Sequence, residues 1–73
     1  MDNIQQYIHI DKNVRFGKPT IIGTRITVAD VLNWMASGMS FADIILDFPE
    51  LNTDQLKACC AYAAKKEDNL RVA

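Results

Sequence analysis

The sequence has few of the residues on which small metal-binding or disulfide-stabilised domains depend. It contains one histidine, His9, and two cysteines, which are the neighbours Cys59 and Cys60. Adjacent cysteines on a helix point about 100° apart, so they cannot form a disulfide there without breaking the helix. A zinc site needs a larger set of nitrogen and sulfur ligands. We therefore expect no metal site and expect both cysteines to serve as small apolar residues.

Long apolar runs and an excess of one charge are also missing. No stretch approaches the roughly 20 apolar residues that span a bilayer, and Met1 to Gln6 lack the basic and apolar regions of a signal peptide. Eight basic residues are balanced by nine acidic ones, whereas a chain dominated by phosphate binding is usually far more basic. These absences favour a cytoplasmic protein that does not contact a membrane.

What is present is a short chain rich in apolar residues. Its 73 residues, 49% of them hydrophobic, are enough for a single domain over 1–73 but too few for the large cofactor-binding sheets and barrels. Its charge is unevenly placed, since residues 12–25 hold four bases and no acid, while residues 40–54 hold four acids and no base. The near-zero net charge therefore conceals two patches of opposite sign.

Two short strands are predicted in the region 7–26. Tyr7–Ile10 and Thr20–Ile22 are rich in strand-forming residues, and the segment between them has the glycine, proline and asparagine of a loop. The following turn, Gly23–Arg25, favours a positive φ at Gly23. Because a two-stranded sheet is barely stable in water, we expect both strands to pair across the protomers of a homodimer or higher oligomer.

Three helices are predicted between residues 27 and 66, followed by a tail over 67–73. Each begins at a residue that can cap it and has a second capping residue three positions later. These pairs are Thr27 with Asp30, Ser40 with Asp43, and Asn52 with Gln55. Gly38 and Pro49 end the first two helices. The pattern predicts a mainly α fold, a three-helix helix-turn-helix preceded by a short β segment; the alternative is a plain helical bundle.

Four sequence segments resemble the domain of unknown function 433 family. The family reads approximately GKPxIxGTRIxV, then GMS, then an I-L-D-aromatic-P-x-L stretch, and ends in AYAA. The counterparts here are Phe16–Val28, Gly38–Ser40, Ile45–Leu51 and Ala61–Ala64, within a match from about Ile8 to Ala64. Thr53 departs from this pattern, because many relatives have proline there.

The resemblance implies a homeodomain-like helix-turn-helix and an antitoxin-like role. Such proteins are commonly encoded beside a PIN-like ribonuclease and are regarded as its antitoxin. The expected function is therefore to bind and neutralise a PIN-like toxin of a type II toxin-antitoxin pair, with autoregulation of transcription as an added role. The alternatives are a DNA-binding regulator without a toxin and a plain protein-interaction module. The family pattern contains no catalytic residue, so we expect no enzyme and no cofactor.

The candidate DNA-binding residues come from two regions. Arg15, Lys18 and Arg25 are able to contact phosphates, although the same loop is compatible with simple solvation or with structural pairing of Arg25 to a carboxylate. At the start of the last predicted helix, Gln55 is suited to adenine and Lys57 to guanine or phosphate. The four acids nearby would repel DNA, which favours protein binding by the same fold.

The candidate partner-binding residues are Arg25, Trp34 and the apolar-flanked arginine of the tail, Leu70-Arg71-Val72. A PIN-like active site is a cluster of carboxylates that holds a divalent cation, and an arginine can take the place of that cation. Arg71 and Arg25 are the competing candidates for this insertion. Trp34 lies off the main apolar stripe of its helix, so both a core position and an interface anchor remain open.

Overall fold

A computed structural model describes residues 4–70 of the chain, with side chains described for residues 4–67. The elements in chain order are α1 (Ile4–Tyr7), β1 (Ile8–Ile10), β2 (Pro19–Ile21), α2 (Val28–Ala36), α3 (Phe41–Asp47) and α4 (Thr53–Leu70). The predicted mainly helical architecture with a short β segment is confirmed. Among the described helices, none combines the length and the apolar content needed to cross a membrane.

The three predicted capping pairs are all formed. Thr27 Oγ1 accepts a hydrogen bond from the Asp30 N–H at 2.9 Å, and Asp30 Oδ2 accepts one from the Thr27 N–H at 3.1 Å. Equivalent reciprocal bonds join Ser40 to Asp43 and Asn52 to Gln55. These bonds satisfy N–H groups that the first turn of a helix leaves unpaired, which is why each helix starts where the sequence predicts.

The two strands pair with each other inside one chain. They are antiparallel, with Ile8 opposite Ile21, His9 opposite Thr20 and Ile10 opposite Pro19. The outer edge of β2 is occupied, because Ile21 donates its N–H to the Ile26 carbonyl at 2.9 Å and Thr20 bridges to Thr27. The expectation that Thr20–Ile22 pairs across protomers is therefore wrong for β2.

The structure also corrects three element boundaries. Tyr7 belongs to α1 and not to a strand, because Ile4 and Tyr7 lie one turn apart and both pack against the core. The second strand is Pro19–Ile21, so it begins and ends one residue earlier than the predicted Thr20–Ile22. The last helix does not end at residue 66 but continues to Leu70, since residues 65–69 include no proline or glycine to stop it.

The core lies where α2 and α4 meet β2, with α3 closing one side. Its buried side chains include Ile21, Val31, Ile44 and Leu56, all completely removed from solvent. Gly38, at φ 108°, follows the C-terminal cap of α2 and turns the chain towards α3. The β1–β2 loop and the turn before α2 therefore project from a fixed framework.

Candidate functional site

The loop between β1 and β2 contains three consecutive residues in the left-handed region. Arg15 has a φ of 49°, Phe16 of 62° and Gly17 of 79°. Glycine adopts this conformation freely, but each of the other two residues loses roughly 1–2 kcal/mol by it. The surrounding structure must therefore hold the loop in place.

Arg15 supplies that support from within the loop. Its Nη1 atom donates to the Arg25 carbonyl at 2.8 Å and to Asp30 Oδ2 at 3.0 Å, so one guanidinium joins the loop to the turn before α2 and to α2 itself. Partial burial works to raise the pKa of Asp30, but the hydrogen bonds from Thr27 and Arg15 and the charge of Arg15 outweigh it and lower that pKa. Asp30 therefore stays ionised and keeps Arg15 in position.

Phe16 projects from this fixed loop into solvent. It is 94% exposed, more than any other large hydrophobic residue among those described. Lys18 and Arg25 are also exposed; Lys18 follows Phe16 by two residues, and the bond from Arg15 Nη1 to the Arg25 carbonyl ties the residue before Phe16 to the turn that contains Arg25. We refer to Phe16, Lys18 and Arg25 as the loop surface. It combines one apolar anchor with two cations and suits a partner of opposite charge.

The structural role that the sequence left open for Arg25 belongs to Arg15. Arg15 is half-buried and bound to Asp30, whereas Arg25 contributes its carbonyl and leaves its side chain exposed. Local sequence patterns do not predict this role, because the hydrogen bond joins residues ten positions apart. Of the three candidate phosphate contacts in the loop, Lys18 and Arg25 have side chains directed to solvent.

At the start of α4, Gln55 is used for helix capping, and several acidic residues precede or follow it in the sequence. Gln55 Oε1 accepts the Asn52 N–H at 2.8 Å, which ties up the amide that was predicted to pair with adenine. Lys57 is exposed. The neighbouring acids are all exposed as well; they are Asp43, Asp47, Glu50 and Asp54. Residues 40–54 therefore present negative charge to solvent, opposite in sign to the charge of the loop surface.

Trp34 packs within the chain. Its indole stacks on Phe48 with ring centroids 4.5 Å apart and an angle of 13° between the planes. Both rings are half-buried and lie against the core. The contact joins α2 to the C-terminal end of α3 and places Trp34 against the core, one of the two positions that the sequence left open.

The two cysteines are free, as predicted, and differ in environment. Cys59 is completely buried. This burial, and to a smaller extent the charge of the neighbouring Cys60 thiolate, raises the pKa of Cys59 to about 12. Cys60 is half-buried and places its Sγ 3.9 Å from Met35 Sδ. Of the tail candidates, Arg71 and Val72 lie outside the described residues, and only the backbone of Leu70 is described.

Together, the capped helices and the short hairpin define a small, mainly helical domain with an exposed loop surface. A family model described as "Protein of unknown function (DUF433)" matches residues 8–63, and the chain belongs to this family. The resemblance expected for residues 8–64 is thereby confirmed. No curated protein matches the sequence.

A solved structure supports the same fold. The crystal structure of a DUF433 member protein from Anabaena variabilis superposes with a TM-score of 0.82 at 24% sequence identity. The similarity covers 90% of this chain but 65% of the Anabaena protein, so the chain spans about two thirds of the length of that protein. The likeness concerns the fold.

Proposed function

We propose that this chain is a cytoplasmic, antitoxin-like subunit that binds a PIN-like ribonuclease and blocks it through the loop surface. The observation that carries the proposal is the exposure of Phe16, 94%, on a loop held in a strained conformation. A large apolar side chain fixed in solvent is typical of a protein-binding anchor. The family resemblance supplies the class of partner.

The geometry reduces the cost of binding. Arg15 fixes the loop through the Arg25 carbonyl and Asp30, so the backbone at Phe16 and Arg25 is already ordered before a partner docks. Arg25 is then placed to pair bidentately with carboxylates of an acidic nuclease site, in the position that a divalent cation would hold. Blocking the nuclease in this way requires no catalytic group from the chain.

The test uses the PIN-like protein encoded next to this chain and measures both binding and inhibition of RNA cleavage. Phe16→Ala should weaken binding by about 30-fold, which corresponds to a hot spot of about 2 kcal/mol. Leu46→Ala is the matched control, because Leu46 is also a large exposed hydrophobic residue, 80% accessible, but lies on α3. Its affinity should equal that of the unmodified chain.

Arg25→Ala separates docking from blocking. Loss of the guanidinium should reduce inhibition of the nuclease more than Phe16→Ala does at equal occupancy, because Arg25 is the group that would enter the carboxylate cluster. Equal affinity and equal inhibition for both variants and for the Leu46 control would contradict the proposal. Failure of the chain to bind any neighbouring nuclease would do the same.

The second candidate is a DNA-binding regulator in which α2, α3 and α4 form a homeodomain-like helix-turn-helix. The observation that favours it is the succession of three capped helices, with only residues 48–52 between α3 and α4. In this role Lys18, Arg25 and Lys57 would contact phosphates. Alanine at Lys18 or Arg25 should then reduce the slope of log affinity against log salt by about one unit each. An unchanged slope would contradict DNA binding by the loop.

A further inference from the structure

Within residues 4–70, the strand β1 has one edge paired with β2 and one edge without a partner. The Ile22 N–H donates to the Tyr7 carbonyl at 2.8 Å, which makes Tyr7 and Ile22 a hydrogen-bonded pair of the antiparallel ladder. Such pairs alternate along a ladder, so His9 and Thr20 form the next one. The carbonyl of Ile8 and the N–H and carbonyl of Ile10 are therefore directed away from β2.

The other strand offers no comparable edge. The N–H of Ile21 binds the Ile26 carbonyl at 2.9 Å, and the carbonyl of Ile21 accepts from the Thr24 N–H at 3.0 Å. Pro19 has no N–H to donate. Strand addition to this sheet is thus confined to the outer edge of β1.

A groove of about 400 Å³ runs beside the open edge of β1. Its apolar lining is formed by Ile4, Ile8, Ile10 and Tyr62, and its polar lining includes His9 and Lys66. Ile8 and Ile10 share one face of the strand, yet Ile8 is 6% exposed and Ile10 is 64% exposed. The apolar face of the strand therefore extends beyond the core that covers it.

We propose that β1 pairs with β1 of a second copy of this chain, in antiparallel orientation, about a two-fold axis at His9. Ile8 then lies opposite Ile10 of the second copy, and the Ile10 N–H of each copy donates to the Ile8 carbonyl of the other. The result is a continuous four-stranded sheet in the order β2-β1-β1-β2. Each Ile10 enters the groove of the other copy beside its Ile8.

The sequence of the edge selects a second copy as the occupant. Ile8-His9-Ile10 reads the same in both directions, so a two-fold axis at His9 matches each isoleucine with an isoleucine. A sheet of two strands is marginal in water, and joining two copies doubles the strand number without a new element. A chain of 73 residues also gains stability from added apolar burial.

Sedimentation of the full chain over the micromolar range tests the dimer. Ile10→Pro removes the donor N–H while leaving the bonds between His9 and Thr20 in place, because that N–H faces away from β2. The dissociation constant should rise by about tenfold or more, with an unchanged circular dichroism spectrum. Ile10→Glu should have the same effect, and Leu46→Glu, at an exposed apolar position on α3, should have none.

His9→Cys tests the register independently of any loss of folding. Residues opposite each other in a non-hydrogen-bonded antiparallel pair have Cα atoms about 4.5 Å apart, within the range that a disulfide spans. Mild oxidation should therefore give a covalent dimer of His9→Cys much faster than of Lys18→Cys, which has an exposed thiol away from the edge, or of the unmodified chain, which has the half-buried Cys60. A dimer that resists Ile10→Pro and does not cross-link at position 9 would overturn the proposal.

Two further outcomes would also overturn it. If the unmodified chain sediments as a monomer across the micromolar range, β1 does not pair with a second copy. A monomer that binds the partner nuclease, and loses that binding on Ile10→Pro, has a strand of the nuclease at this edge instead. Phe16→Ala should leave the dimer intact, so failure of the dimer and failure of the proposed toxin binding are distinguishable.

Discussion

Thr20 and Thr27 lie side by side, joined by the bridge between β2 and the start of α2, and both are almost fully buried. Thr27 uses its hydroxyl oxygen to cap α2. Thr20 Oγ1 has no hydrogen-bond partner within the part of the chain that the structure describes. A buried hydroxyl without a partner costs stability, whereas the same group at a helix start contributes to it.

Thr20→Val should therefore stabilise the chain. Valine keeps the branched shape of threonine and removes the unpaired oxygen, so the free energy of unfolding should rise by about 1 kcal/mol. That gain corresponds to an increase of about 4–8 °C in melting temperature for a chain of this size. Thermal unfolding followed by circular dichroism measures it, and no increase would mean that the hydroxyl has a partner.

Thr27→Val makes the same chemical change and should have the opposite effect. It removes the acceptor of the Asp30 N–H, and loss of such a cap typically costs about 1 kcal/mol. Comparing the two variants isolates the contribution of hydrogen bonding, because burial and side-chain shape are matched. Equal shifts of one sign would show that shape, not bonding, determines stability at these two positions.

At the scale of elements, Asp30 links the loop surface to a helix. Its Oδ2 atom accepts from both the Thr27 N–H and Arg15 Nη1, so the carboxylate that caps α2 also holds the strained loop. The pKa of Asp30 is lowered in the folded chain. Its contribution to stability is therefore present above the unfolded pKa of about 3.9 and is lost as the pH falls through the folded pKa.

Asp30→Asn should make unfolding less sensitive to acid. In the unmodified chain, the free energy of unfolding should fall as the pH drops below about 4, and the variant should show a smaller fall from a lower starting value. Urea denaturation at a series of pH values measures the two curves. Parallel curves would contradict the role of Asp30. The variant should also weaken binding of the proposed nuclease partner, because Arg15 loses its ion pair with Asp30.

Local chemistry explains which elements could be predicted. The three capping pairs depend on residues three positions apart, so Thr27, Ser40 and Asn52 identified the helix starts correctly. The helix α1 was missed because four residues carry little pattern and its formation depends on packing of Ile4 and Tyr7 against the core. The end of α4 was placed too early because a Lys-Lys pair is compatible with both a helix interior and a helix end.

The loop surface could be predicted only in part. The run of bases was visible, and Arg25 and Lys18 are indeed exposed. Phe16 was not singled out, because nothing in its neighbours predicts that a phenylalanine will stand in solvent at a positive φ. The distinction between Arg15 and Arg25 also required the fold, since it depends on a hydrogen bond across ten positions.

At the scale of the whole molecule, Arg25 and Arg71 are the two competing candidates for insertion into the site of the proposed nuclease partner. Arg25 is held by the loop, whereas Arg71 lies in the tail beyond the described residues. Deleting residues 70–73 should leave inhibition of the nuclease unchanged, because the preorganised Arg25 needs less ordering to bind. Inhibition assays on the truncated chain test this. If the truncated chain folds but no longer inhibits the nuclease, Arg71 and not Arg25 is the arginine that inserts into the nuclease site.

Because Cys59 and Cys60 are unequally buried, their reactivities towards a thiol reagent can be used to measure local and global unfolding of the chain. A thiol reagent can reach the half-buried Cys60 through small local fluctuations, while Cys59 becomes reactive only when α4 separates from the core. Singly and doubly modified chains differ in mass, so mass spectrometry can follow the fast and the slow modification step separately. At reagent concentrations where modification outpaces reclosing, the slower step reports the rate at which α4 separates from the core.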